Sequence, residues 1–156
     1  MTPPAKVGTP EGKALYELIL ETLGNFFRLR AAGRSWGAVT PWGGGLWGVL
    51  RTLKMSGPCT VPQIARMRPV ARQRIQRLAN EMVASGLAEF VNNPAHKRSK
   101  LLCLTPTGEA KYQELMDHMQ SWTAEMAQGM ALTELETATR IMRDLRRKLG
   151  EYLASK

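Results

Sequence analysis

Acidic residues are missing from the middle of this 156-residue chain. None occurs between Glu21 and Glu81, while that interval holds ten bases: Arg28, Arg30, Arg34, Arg51, Lys54, Arg66, Arg68, Arg72, Arg74 and Arg77. Cysteine is scarce too, and the two present, Cys59 and Cys103, do not make a disulfide framework. The two histidines, His96 and His118, lie far apart, and no cluster has metal-ligand spacing, so neither a metal nor a cofactor is expected. No apolar run approaches the roughly 18 residues needed to span a bilayer, so no membrane partner is expected. The opening MTPPAKVGTP lacks the apolar core of a signal peptide, which makes cytoplasmic residence the expectation. Pro41-Trp-Gly-Gly-Gly45 is rich in glycine but lacks the Gly-Lys-Ser/Thr ending that cradles phosphate. No serine, histidine and carboxylate arrangement stands out either, and the chain is not expected to be an enzyme.

What is present is ordinary apolar content and an unusual charge. The apolar fraction of 44% suits one globular domain or a pair of subdomains. The net charge of +9, from 22 bases against 13 acids, favours a polyanionic partner. The imbalance is local: from Glu109 onward eight acids face seven bases, so the middle of the chain is the cationic block.

Helix starts are written by one repeated device. Thr9-Pro10, Thr40-Pro41 and Thr105-Pro106 each place a capping hydroxyl before a proline whose φ is already helical. Thr60-Val-Pro-Gln63 and Thr133-Glu-Leu-Glu136 fit the capping box. The first helix is predicted over about Glu11–Arg30 and, with Leu15, Leu18, Ile19, Leu20, Leu23, Phe26 and Phe27, should be buried on more than one side. A second spans roughly Trp42–Met55 and ends at Gly57-Pro58. A short helix over Val61–Met67 turns at Arg68 into another that Pro69 opens and that closes near Ser85-Gly86. Its apolar stripe is Ala71, Ile75, Leu78 and Met82. Strands near Leu87–Val91 and Lys100–Leu104 flank the turn-forming, basic stretch NNPAHKRSK. Helices over about Pro106–Gln128 and Glu134–Ala154 follow. The last carries a seam of Leu135, Ala138, Met142, Leu145, Leu149 and Tyr152, alternating three and four apart.

Short helix, turn, helix, two-stranded hairpin is the layout of a winged helix-turn-helix. The fold class expected is therefore mainly α with a small β wing. A short turn makes the two helices cross steeply, so the second can lie in a major groove. Val70, Gln73, Arg74, Gln76, Arg77 and Asn80 occupy its remaining arc; the groove-facing half offers Gln73, Arg74, Gln76 and Arg77, and Arg72 joins them as a candidate DNA contact. Arginine can bond guanine bidentately and glutamine can do so with adenine. The hairpin tip, with His96, Lys97 and Arg98, would reach a neighbouring minor groove or the backbone.

These residues resemble the MarR family of bacterial transcription regulators. The family pattern along the reading helix, with Gly-Leu after it, is similar to Ile75-Gln-Arg77-Leu78 and Gly86-Leu87. The family's Asp-Arg-Arg wing tip and the strand beyond it are similar to His96-Lys-Arg98 and Leu101-Leu-Cys-Leu-Thr105-Pro-Thr-Gly108. The resemblance implies an N-terminal dimerisation helix after a flexible N-terminus (1–37), a winged DNA-binding lobe (38–107) and C-terminal dimerisation helices (108–156). It implies a homodimeric repressor on a palindromic double-stranded operator, relieved by a small, often phenolic or aromatic, effector. Gln73, Arg74 and Arg77 would then read bases and Arg98 would enter the minor groove. The chain departs from the family at His96, which stands where the family has an aspartate that orients the wing arginine.

Two further readings stand beside these. Phe26, Phe27, Trp36, Trp42 and Trp47 are dense for a chain with 6% aromatics. They form either a wall for a flat effector, with Arg30 or Arg34 pairing its carboxylate, or interdomain core. The alternative to a DNA regulator is a winged-helix interaction module whose basic face takes an acidic protein partner. Cys59, placed in a loop, is expected to be accessible, and Cys103, alternating into a strand, to be buried.

Overall fold

The computed structural model of the chain describes residues 8–38, 45–96 and 98–156. Among these, α1 (Pro10–Ser35), α2 (Leu46–Ser56), β1 (Cys59–Thr60), α3 (Val61–Met67), α4 (Arg72–Ala84), β2 (Ala88–Val91), β3 (Leu101–Leu104), α5 (Pro106–Met126) and α6 (Leu132–Ala154) follow in order. The chain divides into two units, one ending at His118 and the other running Met119–Lys156.

Three threonines cap as their sequence context demands. Thr9 Oγ1 accepts from Gly12 N at 3.1 Å. Thr60 and Gln63 complete a capping box, with Gln63 Oε1 accepting from Thr60 N at 2.7 Å. Thr105 Oγ1 accepts from Gly108 N at 3.1 Å and donates to Gly86 O at 2.6 Å. The pair Thr40-Pro41 lies outside the described residues. Thr133 does not cap: α6 opens one residue beyond Ala131, which holds the extended cap conformation at φ −75° and ψ 130°. Ala131 O already accepts from Glu134 N and Leu135 N, which places Thr133 inside the first turn.

Pro69 does not open α4 either. Arg68 N bonds Ile64 O and Val70 N bonds Ala65 O, so the proline occupies a turn position where no donor is needed. Ala71 then holds the cap position at φ −53° and ψ 131° and is exposed, leaving Ile75, Leu78, Ala79 and Met82 as the buried stripe. At the far end Leu87 N bonds Met82 O at 2.8 Å and Gly86 N bonds Val83 O at 3.0 Å. This paired closure requires φ near +70° at Gly86, a conformation without penalty only for glycine.

The sheet has three strands where the sequence pattern promised two. Its order is β1-β3-β2, all antiparallel, with Cys59 opposite Leu102 and Phe90 also opposite Leu102. The two-residue β1 covers an edge of β3 that would otherwise present unpaired backbone groups. Leu50, Ile64 and Leu102 are fully enclosed at the centre of the core, with Val49, Met82 and Leu115 around them. Burying each such side chain contributes about 1.5–3 kcal/mol.

α1 is not buried on more than one side, contrary to its pattern. Gly33 is its one buried residue among those described, while Leu15, Tyr16, Leu20, Leu23, Phe26, Phe27 and Leu29 are exposed. In the second unit, α6 buries none of its residues, and its seam lies open apart from half-buried Met142 and Leu145.

Candidate nucleic-acid interface

The turn between α3 and α4 is locked from beneath. Arg68 leaves the end of α3 and its Nη1 donates to Gly48 O of α2 at 2.9 Å. A methyl group on Gly48 would overlap that guanidinium, so the glycine makes the room. Burial, with Arg51 nearby, holds the Arg68 pKa below the usual arginine range. Arg51 lies over the Trp47 ring, 5.9 Å from its centroid. Arg68 therefore belongs to the scaffold and not to the outward cationic face. Lys54 is also drawn away from that face, pairing with Glu109 of α5 at 3.1 Å.

With the turn fixed, α4 presents Arg72, Gln73, Arg74, Gln76, Arg77 and Asn80 to solvent. The wing closes on one flank of it. Arg72 and Gln76 of α4, Phe90 of β2, and Arg98, Ser99 and Lys100 of the wing line a single cleft of about 310 Å³ with Val61 and Pro62 of α3. Three cations thus converge where α4 meets the hairpin. Gln73, Gln76, Arg77 and Asn80 border a second, more open surface along the same helix with Glu81 and Ala84. At 100° per residue, Arg74 comes up on the flank of α4 opposite Arg72 and Gln76.

The wing tip is shaped by Asn93. Its Oδ1 accepts from Ala95 N at 3.0 Å and its carbonyl accepts from His96 N at 3.1 Å. His96 O in turn accepts from Ser99 N at 3.1 Å. His96 and Arg98 are exposed on this turn, and Lys97 lies outside the described residues. The turn-forming character of Asn92-Asn-Pro94 was legible. The role of Lys100 as a third cation of the cleft was missed, although its place at the foot of the strand was in view. Glu81 was missed as well, and Asn80, though placed on the outward arc, was given no part: Gln76 Nε2 donates to Asn80 Oδ1 at 3.0 Å, and Arg77 Nε sits 3.3 Å from Glu81 Oε1. Both ties are one-turn pairs that helical spacing alone can flag.

Among the described residues, these aromatic side chains do not gather into one wall. Trp36 and Trp47 are half-buried and pack against the core of the winged lobe, while Phe26 and Phe27 are exposed and meet each other edge to face at 5.5 Å. Trp47 Nε1 is buried without a hydrogen-bond partner among the described residues. Arg30 on α1 is half-buried, Arg34 is exposed, and Trp42 lies outside the described residues.

Cys59 is buried in β1 instead of accessible, and Cys103 is half-buried instead of enclosed. Burial raises both thiol pKa values, and Glu89 raises that of Cys103 further. Cys59 stands opposite Leu102, so strand alternation puts Cys103 on the other face of the sheet. Among the described residues no three His, Cys, Asp or Glu side chains group as metal ligands, and no helix is long and apolar enough to cross a membrane.

Comparison with known proteins bears on the same region. Residues 47–99 match the family model described as MarR family. Uncharacterized proteins of Mycobacterium tuberculosis and Mycobacterium bovis are 48% identical over 58 residues, which is 37% of this chain and 41% of theirs. The match therefore spans less than half of those relatives' length. Among solved structures, a MarR family transcription regulator is 27% identical with a TM-score of 0.76, covering 94% of this chain and 97% of its own. Staphylococcus aureus MarR in complex with salicylate and kanamycin is 18% identical with a TM-score of 0.71, covering 90% of this chain and 93% of its own.

Proposed function

We propose, from the family model matched over residues 47–99 and the likeness to a solved MarR family regulator, that the chain is a winged helix protein of the MarR family and a sequence-specific, double-stranded-DNA-binding transcription regulator. In finer detail it is a homodimeric repressor of a palindromic operator, released by a small aromatic or phenolic acid. The observation that carries the reading is the cleft in which Arg72 and Gln76 of α4 meet Arg98 and Lys100 of the wing. A duplex meets those two elements in adjacent grooves. Glutamine and arginine on the helix suit base edges, and the wing cations suit phosphate or a narrow minor groove.

Dimerisation is supported by the apolar side chains that α1 and α6 each leave exposed. Leu20, Leu23 and Phe27 on α1, and Leu149, Tyr152 and Leu153 on α6, are each about half exposed or more. Contiguous apolar patches of this kind mark association surfaces. An aromatic acid as effector is supported by the salicylate bound to a structural relative. Its action is a population shift: the acid favours a dimer whose reading helices are wrongly spaced for the operator.

The test is retardation of a palindromic duplex, selected from a random pool, in excess competitor DNA. With roughly 6–10 phosphate contacts, affinity is expected to fall about 10³–10⁵-fold between 50 and 200 mM salt. Salicylate and related acids are then added while Trp fluorescence and DNA release are followed together. A chain that retards no duplex at any salt concentration, yet captures a polyacidic peptide, is an interaction module and not a regulator of transcription.

A further inference from the structure

α4 carries one acid on the surface it would offer to DNA. We infer that Glu81 is a specificity-determining residue that works through Arg77: it holds the Arg77 guanidinium on the base-reading face and keeps that face from serving as a general phosphate contact. The inference rests on the DNA-binding reading above.

The geometry is specific. Glu81 Oε1 lies 3.3 Å from Arg77 Nε, one helical turn away, and the two side chains border the same open surface with Gln73, Gln76 and Asn80. A parallel tie runs beside it, with Gln76 Nε2 donating to Asn80 Oδ1 at 3.0 Å. Two side chains suited to bases are thus each held by the residue four positions on. Arginine reads guanine by a bidentate pair of N–H donors to O6 and N7, so the orientation of its guanidinium decides whether that pair can form.

Charge makes the placement costly unless it does something. Glu81 is the one acid between Glu21 and Glu89, in a stretch otherwise cationic, and it stands on the surface that would face a polyanion. A one-turn ion pair on a helix surface, its arginine exposed and its glutamate half-buried, adds too little to folding to be its reason. A carboxylate beside Arg77 repels phosphate approaching from any sequence, whereas a guanine edge presents only neutral acceptors. Weakening the wrong contacts more than the right one is how a charge raises discrimination at the expense of raw affinity.

The full chain is used to select a preferred duplex from a random pool. Dissociation constants for that duplex and for a scrambled one of equal length are then measured between 50 and 200 mM salt. The proteins are wild type, Glu81→Gln, Arg77→Lys and the double variant, each checked for an unchanged thermal unfolding midpoint. Glu81→Gln is expected to tighten the scrambled duplex about 3–10-fold while moving the selected one less than about 2-fold, and to steepen the salt dependence on scrambled DNA by about one counterion. In the Arg77→Lys background the same change should alter the selected-to-scrambled ratio by less than about 2-fold, because the residue it acts through is gone. Equal tightening of both duplexes, or an equal fall of the ratio with and without Arg77, overturns the inference. Selective wild-type binding with an unaltered Glu81→Gln variant removes the inference alone. Absence of any salt-dependent DNA binding by the wild type removes the DNA-binding reading along with it.

Discussion

Gly108 has no side chain because there is no place for one. A methyl group there would run into the carbonyl of Leu87, a backbone atom that cannot swing aside. The close approach is what allows Thr105 to bond Gly86 O and start α5 in one stroke. Gly108→Ala is therefore expected to destabilise the lobe by about 1–3 kcal/mol, the usual range for overpacking. Urea unfolding followed by Trp fluorescence checks it, and an unchanged midpoint would show that the turn and α5 can separate freely. The glycine was visible in the sequence as part of a family pattern, though its reason was not, because the opposing carbonyl belongs to a residue 21 positions earlier. Arg68 was less legible still. In sequence it is one base among ten, and only the fold shows its guanidinium turned inward onto Gly48. Cys59 fails for a similar reason: a residue after Gly-Pro looks like loop, and its burial depends on pairing with β3 more than 40 residues away.

Elements whose signals are local were readable, and those that depend on a neighbour were not. Thr9, Thr60 and Thr105 cap because the hydroxyl, the following proline and the third-position donor all lie within four residues. Thr133 has the capping-box spacing but no following proline, and it sits within the first turn because Ala131 already supplies the accepting carbonyl. The start of α4 slipped from Pro69 to Arg72 because Val70 N bonds back to Ala65 O and holds the chain in the turn, a tie that propensity does not reveal. Strand β1 was invisible, since two residues carry no period. Of these elements α3 is the most dependent on its cap: seven residues are too few to hold a helix by propensity. Thr60→Ala removes the acceptor of Gln63 N and is expected to cost about 0.5–2 kcal/mol. Because α3 seats α4, the same variant should also weaken binding to a selected duplex, and chemical unfolding alongside anisotropy separates the two effects. Full retention of both would mean that β1 pairing alone fixes the start of α3.

At the scale of the whole molecule, periodicity shows that a helix face is apolar and is silent about which chain covers it. The spacing on α6 predicted a seam, and within one chain that seam stays open at its end, with Leu149 half exposed and Tyr152 more so, and Leu153 exposed beside them. If a second copy covers it, association and DNA binding are linked, since one lobe meets one half-site and two joined lobes gain an effective concentration. A charge placed in the seam separates these contributions. Leu149→Glu puts a carboxylate where the partner's apolar side chains would lie, while the core residues Leu50, Ile64 and Leu102 of the winged lobe are untouched. The variant is expected to sediment as a monomer where the wild type sediments as a dimer, with the winged lobe still folded by its Trp fluorescence. Its affinity for the full palindrome should drop by about 10²–10⁴-fold, the gain that linking two sites confers, while its affinity for an isolated half-site should stay within about 2-fold. A Leu149→Glu chain that remains dimeric and holds the palindrome as tightly as the wild type would remove α6 from the dimer surface and leave the exposed apolar face of α1 to account for association.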